Sequence, residues 1–488
     1  MRIPRPQSCN FHLQTSACLY YDGALRRRSD GGRRKRNKMN KKPKTGVPRA
    51  AAGAAKTVRL GMVGLGTVGT GTAKVLQEHQ REIARRLGCK LEMKVICSRT
   101  IHQRDLSWLR GPVEITADWR DVVNDPDVDA VIELVGELKT ARAIALATIA
   151  AGKHLVTANK QLVAEHGIEL AERSRAKGVK LGIEACVAGG TPILHAIRAG
   201  LAGESFAAVY GILNGTTNYI LTEMEQHGTS FADALGKAQE LGYAEPDPTF
   251  DVEGIDARYK IAILAMVCFG QAVRVGDIPA EGITRIEQVD FAYAHRLGHT
   301  IRLIGAARKL KDDRLEISVR PTMIPQASQL AGIRGSTNGI QLIGNKGGTT
   351  TLTGRGAGGE PTGVAVLSDV VEIARAIAGG GTGSTPLGYS EWREAKNAPA
   401  GKSILTAYLR LVVRDRPGIL ARVCDILARH QINIDSVLQE PGMPQDHLPF
   451  VMTLEPTEEG SVRKAAAEIA RLSFLVQKPL LLPFAKLP

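Results

Sequence analysis

The feature that most constrains this chain is a short apolar run, Val58–Val63, that ends in Gly64-Leu65-Gly66-Thr67-Val68-Gly69. It passes directly into Gly69–Leu87, whose apolar residues recur at helical spacing. A GxGxxG string alone carries little. With a strand before it and a helix after it, the string reads as the strand–turn–helix opening of a dinucleotide-binding unit. Gly64 permits the tight turn, Gly66 lets a pyrophosphate approach the backbone, and Gly69 lets the helix lie close to the strand. The helix start then offers unpaired N–H groups to phosphates. Residues Gly64, Leu65, Gly66, Thr67, Val68 and Gly69 are therefore the candidate cofactor contacts.

The segments that follow keep the same alternation. Leu91–Cys97, Ala130–Val135 and His154–Thr157 read as strands, with a helix at Ala141–Ala151. Strict strand–helix alternation implies right-handed crossovers and a parallel sheet covered on both faces. A glycine-rich tract, Gly182–Gly190, leads into a middle region reaching about Asn397. That region holds strand-like runs at Thr300–Ala307 and Leu315–Arg320 and a glycine-rich loop at Gly354–Gly359. Gly379–Lys402, rich in Gly, Ser, Pro and charge, reads as a linker. Ser403–Leu482 runs strand, turn, helix, strand, strand, helix, strand. A length of 488 residues suits this division into several domains.

Composition narrows the function classes. The 43% hydrophobic and 23% charged content is that of an ordinary globular protein. The formal net charge of +15 looks like a nucleic-acid signal until it is located. Residues 1–56 carry 15 Lys/Arg against two acids, so almost all of the excess sits in that arm. It reads either as a transit peptide or nucleic-acid-binding arm, or more simply as a disordered extension ahead of a later start at Met39. With aromatics at 4%, base-stacking platforms are not indicated. Seven cysteines show no metal or redox spacing, and five (Cys89, Cys97, Cys186, Cys268, Cys424) are expected as buried thiols in a reducing cytoplasm. No run of about 18 apolar residues occurs, so no membrane span is expected.

The second strand ends in Cys97-Ser98-Arg99, where NAD enzymes usually place a carboxylate for the ribose hydroxyls. Arg99 there suits a 2′-phosphate, so NADP is favoured and NAD stays as the alternative; a merely solvated Arg99 is the plainer reading. Four further clusters carry chemistry. Ala158-Asn159-Lys160 follows a strand, which puts Lys160 at the carboxyl edge of the sheet, where ligands bind. Glu184–Pro192 is a small-residue loop able to expose carbonyl oxygens. Asn214-Gly215-Thr216-Thr217-Asn218 is a polar turn inside an apolar stretch. Gly242–Pro248 continues through Asp251, Glu253, Asp256 and Lys260. Asp256 and Lys260 are four apart at the head of a helix, Ile255–Cys268, and so share a face. Alone, that pair reads as a surface ion pair contributing only ~0.3–0.5 kcal/mol.

Taken in order, Gly64–Gly69, Ala158–Lys160, Glu184–Pro192, Gly211–Asn218, Gly242–Lys260, Val319–Pro325 and Gly354–Thr362 resemble the motif set of the homoserine dehydrogenases. The resemblance implies reversible reduction of L-aspartate 4-semialdehyde to L-homoserine with NAD(P)H. It makes Lys260 the acid/base with Lys160 close by, and Asp256 the residue that positions Lys260 and keeps it charged. Glu245 grips the substrate's α-amino group, helped by Asp251. Glu184, Val187, Gly189 and Thr191 match that family's site for a monovalent cation such as sodium. Two positions depart from the pattern: Glu137 stands where a second Gly is usual, and Gly339 replaces Ala.

Leu409–Val413, Arg414–Leu420 and Ile432–Ile434 resemble an ACT domain, whose Asp-x-Pro-Gly turn leaves backbone N–H groups free for a carboxylate. Asp415, Gly418 and Asn433 are then the candidate allosteric contacts and threonine the candidate effector; a purely structural module is the alternative. The expected architecture is α/β: a disordered extension (1–56), a Rossmann-type domain (57–182), and an α+β catalytic and dimerisation domain (183–378). Within the last, 364–378 can pack back on the first domain. A linker (379–402) and an ACT domain of βαββαβ order (403–488) complete it. A homodimer or homotetramer in the cytoplasm is expected, serving threonine, methionine and isoleucine synthesis, with no nucleic-acid or membrane partner. The competing readings are another NADP-dependent semialdehyde reductase and a non-catalytic amino-acid sensor on the same fold.

Overall fold

Val58, Leu60, Met62 and Val63 are all buried, as befits a central strand of a sheet covered on both faces. In the computed structural model, which describes residues 57–379, 387–389, 391–399, 401–485 and 487, these residues form β1 (Thr57–Val63). The basic extension, with Cys9 and Cys18, lies outside the described residues. After β1 come α1 (Thr67–Leu87), β2 (Lys90–Cys97), β3 (Glu114–Thr116), α2 (Trp119–Asn124), β4 (Ala130–Glu133), α3 (Leu138–Ala150), β5 (His154–Thr157), α4 (Lys160–Lys177) and β6 (Leu181–Gly182). The six strands make one parallel sheet in the order β3-β2-β1-β4-β5-β6, the doubly wound arrangement.

The chain then builds a second, antiparallel sheet. Its elements are α5 (Ile193–His195), β7 (Phe206–Ile212), α6 (Gly215–His227), α7 (Phe231–Glu240), α8 (Thr249–Val252), α9 (Ile255–Phe269), β8 (Gln271–Ala272), α10 (Gln288–Arg296), β9 (His299–Lys309), β10 (Leu315–Pro325), β11 (Thr337–Gly344) and β12 (Thr349–Arg355). The sheet order is β10-β9-β7-β11-β12. Helix α9 is buried along nearly its whole length from Lys260 to Phe269, which makes it a core helix rather than a surface one. Asp256 and Lys260 are its polar exceptions, and both are buried. The surface-pair reading of these two residues fails because the helix that carries them runs through the core.

Helix α11 (Gly359–Gly379) follows the second sheet in sequence but packs on the first. Ala365, Val366, Leu367, Val370, Ile373 and Ala374 join the core formed by β1, β2 and α1. Two glycines permit the close crossing. A Cβ on Gly71 would lie 2.2 Å from the Gly359 carbonyl carbon, and one on Gly363 would lie 2.8 Å from the Thr72 nitrogen. The crossing brings the Gly356–Gly359 loop against the glycine-rich turn after β1, since a Cβ on Gly359 would sit 2.7 Å from the Thr67 carbonyl oxygen.

The described part of the 379–402 stretch is not a free linker. Leu387 is fully buried, the Tyr389 hydroxyl donates to the Cys268 carbonyl (2.9 Å), and β13 (Arg393–Glu394) pairs with β8. These apolar anchors, read as turn-forming composition, hold the segment against α9. Four of the five described cysteines are buried as expected; Cys424 is half-buried, because it sits at the edge of an amphipathic helix. No helix among the described residues is long and apolar enough to cross a membrane.

The last unit comprises β14 (Ile404–Val413), α12 (Ile419–Arg429), β15 (Ile434–Gln439), β16 (Leu448–Glu458), α13 (Glu459–Ile469) and β17 (Leu480–Pro483), with sheet order β15-β16-β14-β17. Strand β14 alternates strictly. Ala407, Leu409, Leu411 and Val413 enter the core under α12 and α13, whereas Tyr408 joins the core of the second sheet. There the Tyr408 hydroxyl (2.7 Å) and the Arg410 guanidinium (2.9 Å) both donate to Asp290 of α10, which is fully buried. Burial pushes the Asp290 carboxyl up to about 6 despite Arg410.

Removing Arg410 would leave that carboxylate without its cation, and Arg410→Ala should cost about 3–5 kcal/mol. Because the folded carboxyl sits above its unfolded value, a proton relieves the penalty as pH falls. The deficit should therefore be largest near pH 8 and shrink toward pH 5, as urea melts at the two pH values would read.

Candidate active site

The turn after β1 has the form a phosphate cradle needs. Gly64 has φ +106°, and a Cβ on it would lie 2.6 Å from the Leu134 carbonyl oxygen. On Gly69 a Cβ would come within 2.1 Å of the Gly64 carbonyl oxygen. Gly66 differs: a Cβ there would meet no protein atom within 4 Å, so the chain itself does not require glycine at that point. In dinucleotide-binding folds glycine at this point lets a ligand lie against the backbone. Gly66 also begins α1 without any side-chain cap, leaving the N–H groups of the first turn open. Leu65, Thr67 and Val68 complete this turn. Arg99 stands exposed just past the end of β2, whose Cys97 carbonyl accepts from the Gly64 N–H (2.9 Å).

At the neighbouring strand ends, Asn159 caps α4 by accepting from the Leu162 N–H (2.9 Å), so Lys160 is the first residue of the helix. Its ammonium reaches across to Asp256 Oδ1 and lies 5.1 Å from the Phe250 ring centre. Lys260 donates to Asp256 Oδ2 (2.7 Å) and to the Leu213 carbonyl (2.8 Å). Asn214 Nδ2 spans Asp251 Oδ1 (2.7 Å) and Asp256 Oδ2 (2.9 Å). The Asp256 carboxylate is thus shared by two lysines that are 100 residues apart in sequence. Burial alone would push its carboxyl up, but the two ammonium groups hold it well below the usual range. The Lys160 ammonium, for its part, is kept above its ordinary value by Asp256 against the pull of burial. Asp251, half-buried and close to Asp256, is raised by desolvation and by that neighbouring carboxylate.

These groups line a cleft of about 590 Å³ between the two sheets. Lys160, Glu245, Asp251, Asp256 and Lys260 all face it; Glu245 is exposed at its mouth. Asn214, Thr216, Arg355 and Thr362 line it too, and sequence reasoning had not placed them among the site residues. The signal for Asn214 was present, as a polar turn inside an apolar stretch. Arg355, at the end of β12, falls inside the Gly354–Thr362 motif, but nothing local marked its side chain as a site residue. Gly189 and Ala188 border the cleft, while Val187 and Thr191 are buried beside it. Glu137 turns away to cap α3, accepting from the N–H groups of Lys139 (2.9 Å) and Thr140 (2.8 Å).

The Glu184 loop is split in its duties. The Glu184 carboxylate accepts from the N–H groups of Leu194 (3.0 Å) and His195 (2.6 Å), at the start of α5. Burial pushes it up to about 7. Ala188 takes φ +50°, a conformation residues other than glycine rarely adopt, and the buried Thr191 hydroxyl has no hydrogen-bond partner among the described residues.

Beside this loop, His195 Nε2 lies 3.1 Å from Asp369 Oδ1 and 3.2 Å from Glu372 Oε2. Hydrogen bonds to Asp369 and Glu372 push the imidazole up to about 10. The stability this cation contributes is complete below about pH 6.5 and is lost as pH rises toward 10. His195→Gln should therefore melt several degrees lower than wild type at pH 6.5, and the gap should close by pH 10.

In the last unit, Gly418 begins α12 with φ +89° and no side-chain cap. Asp415 is exposed, and its N–H donates to the Gln445 carbonyl (2.6 Å). Asn433, just before β15, is also exposed, and its side-chain amide donates to Glu455 (3.2 Å).

Family models described as homoserine dehydrogenase, its NAD binding domain, and the ACT domain match residues 192–371, 64–184 and 407–474. The homoserine dehydrogenase of Pseudomonas aeruginosa is 40% identical over 421 residues, covering 86% of this chain and 96% of that one. The chain belongs to the homoserine dehydrogenase family. The homoserine dehydrogenase of Neisseria gonorrhoeae is 37% identical over 428 residues, covering 87% of this chain and 98% of its own length. The crystal structure of the homoserine dehydrogenase from Thiobacillus denitrificans superposes with a TM-score of 0.80 at 37% identity, over 88% of this chain and 99% of that one. As a homoserine dehydrogenase, the protein is an oxidoreductase acting on a CH–OH group. It has the family's NAD-binding domain, its catalytic domain and a C-terminal ACT domain.

Proposed function

We propose that the cleft reduces L-aspartate 4-semialdehyde to L-homoserine, reversibly, with Lys260 as the proton donor and NADP(H) as the preferred cofactor. One observation carries this reading: two ammonium groups, Lys160 and Lys260, share the single buried carboxylate of Asp256 at the wall of a cleft beside the glycine-rich turn. A reduced nicotinamide, when bound, supplies the hydride to the carbonyl carbon. The oxygen then becomes negative, and a positive donor fixed in advance lowers the barrier by meeting that charge and giving up its proton. Lys260 is held for this by Leu213 and Asp256, and Lys160 adds a second positive charge on the same side. Glu245 at the mouth and Asp251 beside Asp256 bind the substrate's α-amino group. This places the enzyme in threonine, methionine and isoleucine synthesis.

Arg99, at the end of β2 with no carboxylate beside it in sequence, supports the 2′-phosphate of NADP. The orphaned Thr191 hydroxyl and the strained Val187–Gly189 turn fit a monovalent cation such as sodium, held by main-chain oxygens of Val187 and Gly189 with Glu184 and Thr191 adjoining. The uncapped start of α12 at Gly418, with Asp415 and Asn433 near by, fits an amino-acid effector such as threonine, and the assembly is a homodimer or homotetramer.

The deciding experiment is a panel of amino-acid semialdehydes with NADPH and NADH, followed at the reduced-nicotinamide absorbance. Turnover of aspartate semialdehyde, faster with NADPH, is expected. A preference for another semialdehyde would overturn the assignment, and faster turnover with NADH would overturn the cofactor choice. Calorimetric titration with threonine should release heat; no heat and no inhibition would remove the regulatory role.

A further inference from the structure

Glu133 is the last residue of β4 and is fully buried, yet no step assigned above uses it. Burial pushes its carboxyl up to about 7, offset only by the Thr157 hydroxyl and the Val135 N–H. The bonds around it close on themselves. The Val135 N–H donates to Glu133 Oε1 (2.5 Å), and the Thr157 hydroxyl donates to Oε2 (2.6 Å). The Asn159 N–H donates to the Thr157 hydroxyl oxygen (3.0 Å), and Asn159 Nδ2 returns to the Val135 carbonyl (3.0 Å). Glu133 and Thr157 are direct partners in the β4–β5 pairing, so the ring staples the turns that leave two adjacent strands.

Those two turns, Leu134–Gly136 and Ala158–Lys160, line a pocket of about 340 Å³ together with Val68 and Phe250. Val68 belongs to the glycine-rich turn, and Lys160 belongs to the substrate cleft as well, so the pocket joins the phosphate cradle to the reacting groups. Asn159 is the hinge of the arrangement. Its side chain both completes the ring and caps α4 at the residue before Lys160.

We infer that Glu133, Thr157 and Asn159 are positioning residues, whose closed hydrogen-bond ring fixes the seat of the nicotinamide ring and the place of Lys160 relative to it. A carboxylate suits the task because both of its oxygens accept, one from the turn after β4 and one from the last residue of β5. An apolar side chain of the same size could hold neither. The inference rests on the hydride-transfer reading given above and concerns this chain's own residues.

The test compares wild type with Thr157→Val, Thr157→Ser and Glu133→Gln. It measures NADPH affinity by fluorescence titration, the fluorescence lifetime of bound NADPH without substrate, and kcat. Thr157→Val should lower kcat by about tenfold or more and shorten the bound lifetime toward that of free NADPH, because a loosened ring no longer holds the nicotinamide in register. Its NADPH Kd should change less than about threefold, since the phosphate cradle is untouched. Thr157→Ser, which keeps the hydroxyl, should restore both readouts to within about threefold of wild type.

Unchanged lifetime and kcat in Thr157→Val would overturn the inference, whatever happens to its melting temperature. Should Thr157→Val fail to fold, Glu133→Gln decides. One of its two bonds is forced to reverse, so it should shorten the lifetime and lower kcat, and a wild-type lifetime would refute the ring's role. A wild type that turned over no semialdehyde would sink the functional assignment, while the lifetime comparison would still judge the ring.

Discussion

Replacing Lys260 by alanine lowers kcat by about 10²–10⁴-fold in the reduction direction, the contribution typical of a positioned proton donor. Affinity for NADPH stays within a few-fold of wild type, because the glycine-rich turn and the start of α1 lie outside the altered contacts. The structural cost is moderate. Lys260 is buried and spends its hydrogen bonds on Leu213 and Asp256. Its loss leaves the Leu213 carbonyl bonded to Asn338 (3.0 Å) and Asp256 paired with Lys160. A drop in kcat and kcat/KM together, with an unchanged cofactor Kd, identifies an interaction made at the transition state. A rise in KM alone would mean that Lys260 only binds substrate.

Replacing Asp256 by alanine has the largest effect on the fold as well as on turnover. Three partners converge on this carboxylate: Lys160, Lys260 and Asn214. Without it, two ammonium groups face each other in a partly dry cleft with only Asp251 left near them as an acid. Breaking a buried pair in this way costs about 3–5 kcal/mol. The lower end is expected here because the Lys160 side chain is 31% exposed and water can solvate it. Asp256→Asn keeps the shape and one acceptor but, like alanine, removes the counter-charge of both lysines, so it should lose a comparable share of the stability and about tenfold or more in kcat. The folded carboxyl of Asp256 lies below its unfolded value. The stability it confers is therefore present above about pH 4 and lost only as pH falls through the depressed folded value. Chemical denaturation of wild type, Asp256→Asn and Asp256→Ala at pH 7 and pH 4 reads these differences directly.

The parallel sheet was legible because its information is local. Strand β1, the glycine turn and α1 follow one another, and β1, β2, β4 and β5 carry apolar runs or alternation; the edge strands β3 (Glu-Ile-Thr) and β6 (Leu-Gly) are too short and too little apolar to be read. The i, i+4 relation of Asp256 and Lys260 was likewise readable. What made that pair chemical was not, because burial of α9 depends on β7, β9 and β10, which lie outside its own sequence. The bridge from Lys160 to Asp256 is a tertiary contact between the β5–α4 junction and the α8–α9 turn, and only the fold brings it about. Helix α11 shows the same limit. Its apolar face could be read, but the approach of Gly363 to Thr72, which brings the Gly356–Gly359 loop against the glycine-rich turn, could not. The 379–402 stretch misled for the opposite reason. Its Gly and Pro content hid three apolar anchors, Leu387, Tyr389 and Trp392, that tie it to the body of the protein.

In the proposed mechanism the ammonium of Lys260 gives its proton to the oxygen that becomes negative as hydride arrives. The most direct measurement is a single turnover of NADPH with L-aspartate 4-semialdehyde in Lys260→Ala, followed at the reduced-nicotinamide absorbance with and without added ethylammonium. A rate at least about a hundredfold below wild type, partly and saturably restored by the amine, is expected. A variant that oxidised NADPH at the wild-type rate without any amine would contradict it.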